Sequence, residues 1–175
     1  GATSPSASTA SALTPTSERN PRMTATLTPL TPSRLAHMNA TANRAYEIAK
    51  TIFGKTEDQA RALYILGLLH DVGYAFDPTD HAHAGGRVLI GLGVAADAVY
   101  DHGDPNVGFM DDELLIVNAA DMTTSPTGAP MRMEDRLRDI GERYGVDSPH
   151  LACARAVADR IKYELARRGL PTSWL

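Results

Sequence analysis

Apolar residues recur at helical spacing along most of this 175-residue chain, and no convincing strand pattern interrupts them. Apolar positions three and four residues apart are typical of amphipathic helices. We expect helices over about 32–53, 56–70, 80–92, 94–102, 111–122, 132–144 and 149–168. The pattern therefore predicts an all-α protein, a bundle of about six to seven helices.

Local signals mark the ends of the first two helices. Thr31 followed by Pro32 supplies an N-cap and a proline at the first helical position. Gly54 ends the first helix, and Thr56 with Gln59 forms a capping box that opens the second. These signals place the start of the folded chain near residue 31.

Composition divides the chain into a tail and a domain. The first thirty residues are mostly Ser, Thr, Ala and Pro, which bury too little apolar surface to offset the entropy lost on ordering. We expect residues 1–30 to be a disordered tail and residues 31–175 to be one domain with one core.

Charge and cysteine content exclude several kinds of partner. The formal net charge is −4 at pH 7, so we expect no general attraction to nucleic acid or to an anionic membrane. No apolar stretch reaches the roughly 18 residues of a membrane span, and no signal-peptide layout is present. The single cysteine leaves no internal disulfide, so we expect a cytoplasmic protein. The oligomeric state stays open.

Histidine and aspartate residues fall at the ends of predicted helices, several of them where the pattern calls for an apolar residue. They are His37, His70, Asp71, His83, His102 and Asp121. Asp121 follows Leu114 and Val117 on one face of a strongly apolar helix, where a carboxylate needs a cation. Imidazoles and carboxylates at convergent positions can hold one or two metal ions. Each residue alone also fits an ordinary structural role. We leave two histidines outside the ligand set, His81 at the site entrance or the surface and His150 at the surface.

Together these motifs resemble the HD superfamily of metal-dependent phosphohydrolases, all-helical proteins named for a His…His-Asp…Asp metal site. The resemblance covers roughly residues 34–121. It is carried by Arg-Leu-Ala-His ending at His37, Leu-Leu-His-Asp-Val-Gly over 68–73, His-Ala-Gly-Gly from His83, Val-Tyr-Asp-His ending at His102 and Ala-Ala-Asp ending at Asp121.

The resemblance implies a two-metal centre. It assigns one ion to the residues matching His37, His70, Asp71 and Asp121, and a second ion to those matching His83 and His102, with Asp71 bridging both. The ions would be divalent, with iron or manganese favoured and zinc, cobalt or nickel open. Such a centre lowers the pKa of a bridging water and neutralises charge on phosphoryl oxygens. The prediction is a phosphohydrolase that uses this hydroxide to cleave a phosphoester or phosphoanhydride of a nucleotide or another small phosphorylated metabolite.

Three further residues are candidates for binding substrate. Arg34 lies one turn before His37, and the bacterial subfamily that hydrolyses diadenosine tetraphosphate has a matching arginine, so we pair Arg34 with Asp71 as catalytic candidates. Arg87 lies one turn after His83. Tyr74 stands where many relatives carry a lysine. We expect the loops over 103–110 and 123–130 to line the pocket.

Two other function classes remain open. The same layout of four histidines and two aspartates resembles the mixed-valence di-iron oxygenases of this superfamily, exemplified by myo-inositol oxygenase, which cleave C–C or C–P bonds with O2. A non-catalytic HD module that binds a ligand or a partner is the third hypothesis. Metal analysis of protein purified without oxygen would separate these classes.

Overall fold

The structure is a computed structural model that describes residue 1 and residues 27–175. Within this part the fold consists of seven α-helices and no strand, apart from an isolated pairing of Thr124 with Pro130. The helices are α1 (Pro32–Thr51), α2 (Glu57–Leu69), α3 (His81–Gly91), α4 (Asp97–Tyr100), α5 (Asp112–Met122), α6 (Met133–Tyr144) and α7 (Pro149–Arg167). A 3-10 turn, Val72–Ala75, follows α2. The all-α prediction is confirmed, whereas residues 2–26 of the predicted tail lie outside the described part.

Side-chain caps begin the helices where the sequence predicts them. The Thr56 hydroxyl accepts from the Gln59 backbone N–H at 3.3 Å, and the Gln59 side chain accepts from the Thr56 N–H at 3.0 Å. The Thr31 hydroxyl likewise accepts from the N–H of Arg34. Each bond satisfies a backbone donor that the first helical turn leaves free.

Helix α5 is the central element of the core. Its residues 114–120 are all buried, and it packs against α1, α2, α4 and α7. The close approach of α1 to α2 depends on Gly67, because a β-carbon there would lie 3.0 Å from the carbonyl oxygen of Thr41. This buried arrangement places the last turn of α5 beside the ends of α2 and α4.

The fourth helix is shorter than predicted. It spans only Asp97–Tyr100 rather than 94–102, because Gly93 adopts a left-handed conformation with φ of 81° and the chain becomes helical again only at Asp97. His102 therefore lies just beyond a helix end. None of the helices between residues 27 and 175 is long and apolar enough to cross a membrane.

Candidate metal centre

Four imidazoles and two carboxylates from five helical segments meet in one cluster. They are His37 near the start of α1, His70 and Asp71 at the end of α2, His81 at the start of α3, His102 after α4 and Asp121 in the last turn of α5. The ring of His70 lies 5.2 Å from the rings of both His37 and His102. The structure thus brings together every predicted ligand except His83.

Backbone carbonyls fix the orientation of three of these imidazoles. The Nδ1–H groups of His37, His70 and His102 donate to the carbonyl oxygens of Ser125 at 2.9 Å, Gly67 at 2.7 Å and Val99 at 2.6 Å, respectively. Because a carbonyl oxygen only accepts, each Nδ1 carries the proton, and Nε2 is the atom through which the neutral ring can bind a metal. Metal-ligating histidines are oriented by the same kind of hydrogen bond.

The three inward-facing Nε2 atoms are buried without a hydrogen-bond partner among the described residues. They belong to His37, His70 and His102. An unpaired polar atom removed from water costs free energy, so native proteins rarely leave three of them together. A metal ion would accept all three lone pairs, and the residues present therefore fit a metal.

Asp71 lies at the middle of the cluster with its side chain 4% exposed. Its Oδ2 atom lies 3.4 Å from His70 Nε2 and 3.7 Å from His37 Nε2. Its Oδ1 atom lies 3.3 Å from His81 Nε2 and 3.6 Å from His102 Nε2. The two oxygens thus face different imidazoles, which is the arrangement needed to bridge two ions.

Asp121 faces the first pair of imidazoles. Its Oδ1 atom lies 3.1 Å from His37 Nε2 and 3.9 Å from His70 Nε2. Two ligand atoms that each lie about 2.1 Å from one tetrahedral ion are separated by about 3.4 Å. The observed spacings are close to that value, so His37, His70 and Asp121 could hold one ion, as could His70, Asp71 and His102.

The two carboxylates stay ionised in this buried place. Burial alone would raise the pKa of Asp71, but His70, His102 and Arg34 hold it well below its ordinary value. Burial would also raise the pKa of Asp121, but the adjacent His37 and Arg136 leave it below its ordinary value. Two carboxylate charges among buried imidazoles favour a bound cation.

Two of the imidazoles are held neutral. Burial lowers the pKa of His70, and burial together with the neighbouring His102 lowers the pKa of His81 to about 4. A neutral imidazole is the form that binds a metal. Both rings are therefore in the ligating state at neutral pH.

His83 and Arg87 do not reach the cluster, which corrects their predicted roles as metal ligand and substrate-binding residue. His83 Nδ1 lies 2.6 Å from Asp80 Oδ1, and its ring lies 4.5 Å from the ring of Tyr100. Arg87 also pairs with Asp80, at 3.2 Å, and its side chain is 57% exposed. Both side chains lie on a different face of α3 from the one that meets Asp71.

His81 takes the place predicted for His83. Residues two positions apart in a helix point about 200° away from each other around its axis. Only one of His81 and His83 can therefore face Asp71. Gly85 lies one turn after His81 and packs against Gly73, which is in the 3-10 turn that follows Asp71. In the sequence, only Gly85, four residues after His81, indicates that the His81 face of α3 packs closely against another element.

Arg34 and Tyr74 lie beside the cluster, as predicted. The Arg34 guanidinium donates to Asp71 Oδ2 and lies 4.0 Å above the ring of Tyr74. The ring of His81 also stacks on Tyr74, with 4.1 Å between the ring centroids. The stack holds the guanidinium next to the ligand atoms.

A cleft of about 230 Å³ opens next to Asp121 and Arg34. Its walls come mainly from α6 and α7, and of the loops predicted to line it only Gly103 contributes. Arg136 of α6 lies at its inner end, with Nη2 3.6 Å from Asp121 Oδ1. No motif in the sequence marks Arg136, because it is one of several arginines on a strongly charged helix.

Comparison of the chain with protein-family models, with curated proteins and with solved structures finds no match.

The donor set of the centre consists of imidazole nitrogens and carboxylate oxygens, without a thiolate. Donors of this kind suit iron, manganese, cobalt, zinc or nickel.

Proposed function

We propose that this chain is a metal-dependent phosphohydrolase of the HD type that acts on a nucleotide or another small phosphorylated metabolite. The observation that carries the proposal is the buried cluster around Asp71, in which three imidazole Nε2 atoms have no hydrogen-bond partner among the described residues and two carboxylates stay ionised. The motifs that resemble the HD superfamily supply most of these residues.

The ligands divide between two ions. His37, His70, Asp71 and Asp121 would hold the first ion, and Asp71, His81 and His102 the second. Bound divalent ions would supply Lewis acidity toward water and phosphoryl oxygens, which removes the need for a protein nucleophile.

Arg34 is the residue of the chain best placed to bind the phosphoryl group. The bond to Asp71 uses one N–H of its guanidinium group, which has five in all, and Arg34 lines the cleft. A guanidinium binds phosphate oxygens through charge-assisted bonds and favours the negative charge that develops during phosphoryl transfer. The ring of Tyr74 keeps the guanidinium plane in position by stacking.

Protein purified without oxygen tests this proposal. Its metal content is measured, and hydrolysis is then assayed with Mn²⁺, Co²⁺ or Ni²⁺ in the absence of O2, using dinucleoside polyphosphates, nucleoside monophosphates and aminophosphonates. Phosphate and nucleotide products are both measured, because cleavage inside a polyphosphate chain releases nucleotides rather than free phosphate. We expect metal-dependent hydrolysis without O2. Asp71→Ala should abolish it, and His83→Ala should retain it because His83 lies outside the cluster.

Two outcomes would overturn the proposal. Two irons with a mixed-valence EPR signal and a product that forms only with O2 would identify the di-iron oxygenase. A metal-loaded protein that binds compounds of the panel but converts none of them would identify a non-catalytic HD module.

A further inference from the structure

The cleft beside the centre has one wall from each of the last two helices. Helix α6 contributes residues at i, i+4, i+7 and i+8, which lie on one face of a helix: Arg136, Ile140, Arg143 and Tyr144. Helix α7 contributes mainly small and apolar side chains from its first half. The cleft therefore has cationic groups along α6 and an apolar opposite wall.

Among the described residues, Arg136 and Arg143 share the carboxylate of Asp139. Asp139 Oδ2 accepts from Arg143 Nη2 at 2.6 Å and from Arg143 Nε at 3.1 Å, and it lies 3.3 Å from Arg136 Nη1. Asp121, the other carboxylate near Arg136, belongs to the candidate metal ligands. Two guanidinium charges that share one carboxylate leave an excess of positive charge in the cleft.

Arg136 also has a hydrogen-bond donor without a partner among the described residues. The residue is only 9% exposed, and its buried Nε atom has no hydrogen-bond partner among the described residues. A buried guanidinium with a free N–H is stabilised by an anion that accepts from it. The charge of Arg136 is therefore incompletely paired among the described residues, which favours an anion beside it.

We propose that Arg136 and Arg143 bind a second anionic group of the substrate, so that the substrate is a small compound with two anionic groups. This inference rests on the proposed function, because the first anionic group is the phosphate at the metal centre. Arg136 Nη2 lies 3.6 Å from Asp121 Oδ1, so an anionic group bound at Arg136 would lie close to the metal centre.

The size of the cleft restricts the substrate further. Its volume of about 230 Å³ is below the roughly 300–1,000 Å³ of pockets that enclose drug-sized ligands. A dinucleoside polyphosphate would leave most of its surface outside this cleft. The cleft would enclose more completely a small metabolite whose second phosphate, phosphonate or carboxylate reaches Arg136 and Arg143 from the metal centre.

The only cysteine of the chain lines the same cleft and offers a binding assay without turnover. Cys153 is exposed, and its thiol donates to the carbonyl oxygen of Gly103 at 3.4 Å. The rate at which iodoacetamide alkylates Cys153 is measured in Mn²⁺-loaded full-length protein. Methylenediphosphonate, with two anionic groups on one carbon, is compared with methylphosphonate, which has one.

We expect methylenediphosphonate to protect Cys153 at a concentration at least about tenfold lower than methylphosphonate does, because each added charge-assisted bond strengthens binding by such a factor. Arg143→Gln, at a half-exposed position that tolerates the change, should remove this difference. Arg138→Gln is the matched control, since Arg138 is on the same helix, 68% exposed and outside the cleft.

Equal protection by the two compounds would overturn the inference, as would full protection in Arg143→Gln. The readout separates this failure from that of the proposed function. Preferential protection by methylenediphosphonate without phosphate release from any substrate would contradict the phosphohydrolase but support the anion site. Phosphate release at the same rate from substrates with and without a second anionic group would support the phosphohydrolase but contradict the anion site.

Discussion

Nε2 of His81 lies 3.3 Å from Oδ1 of Asp71, the carboxylate oxygen that faces away from His37 and His70. His81→Ala should therefore remove a ligand of the second ion and leave the first ion bound. We predict that the affinity for the second equivalent of Mn²⁺ falls at least about tenfold. Isothermal titration of metal-free protein measures it.

His83→Ala is the matched control on the same helix, because its imidazole contacts Asp80 and Tyr100 instead of the cluster. Both equivalents of Mn²⁺ should bind to this variant with unchanged affinity. Loss of the second ion in His83→Ala but not in His81→Ala would show that α3 presents its other face to Asp71.

The contact of Arg34 with Asp71 and Tyr74 leads to a second prediction. Arg34→Ala should lower kcat/KM for phosphate release by roughly ten- to a hundredfold, because about 1.5–3 kcal/mol of charge-assisted hydrogen bonding to the phosphoryl group is lost. The metal content should stay intact. Arg87→Ala should leave kcat/KM unchanged, since Arg87 pairs with Asp80 at the surface. Equal losses in both variants would contradict the placement of Arg34.

The exchange of His81 for His83 shows where a helical pattern stops being informative. Periodicity identifies a helix near residues 80–92, but it does not say which face meets a neighbouring element. That face is decided by the 3-10 turn Val72–Ala75, against which Gly85 packs. By contrast His70 and Asp121 both continue an apolar line at the end of their own helix, so their inward direction could be predicted.

Gly73 should be intolerant of any side chain. A β-carbon at this position would collide with the carbonyl of His81 and lie 2.7 Å from the backbone nitrogen of Gly85. We predict that Gly73→Ala destabilises the fold by about 1–3 kcal/mol and weakens binding of the second metal ion, because α3 must move. Gly91→Ala, with open space around it near the end of α3, should be neutral or slightly stabilising. Urea denaturation of both variants checks the difference, and equal stabilities would refute it.

Glu164 ties the end of α7 to the start of α5 through Arg168, which also bonds to Asp112. The carboxylate is 4% exposed and accepts from Arg160, Arg167 and Arg168. Glu164→Gln should lower the free energy of unfolding by about 1.5–3 kcal/mol, because three guanidinium groups lose their shared anion. Glu47→Gln, at an exposed pair with Arg44, should cost less than about 0.5 kcal/mol.

The pH dependence of stability gives a separate check on Glu164. Burial would raise its pKa, but the bonds from Arg167, Arg168 and Arg160 lower it below the ordinary value. A lowered folded pKa means that the stabilisation is complete above the unfolded value of about 4.3 and is lost as the pH falls through the folded pKa. Wild-type protein should therefore lose more stability in acid than Glu164→Gln does. Parallel acid-unfolding profiles of the two proteins would contradict this assignment.

Arg136 could not be predicted for a different reason. It lies on α6, whose exposed faces carry many charges, and its ion pair with Asp121 of α5 forms only in the folded chain. Contacts between residues distant in sequence decide such a position, and no local pattern contains them. The same holds for the cleft, which α6 and α7 form in place of the predicted loops.

The content of divalent metal per chain, measured by mass spectrometry on protein purified without oxygen, tests the metal centre most directly. Wild-type protein should carry about two ions per chain, and Asp71→Ala, with its helical content verified by circular dichroism, should carry far fewer because the bridging carboxylate contacts both ligand sets. Wild-type protein that binds no stoichiometric metal, or folded Asp71→Ala that retains the full amount, would contradict the metal centre around Asp71.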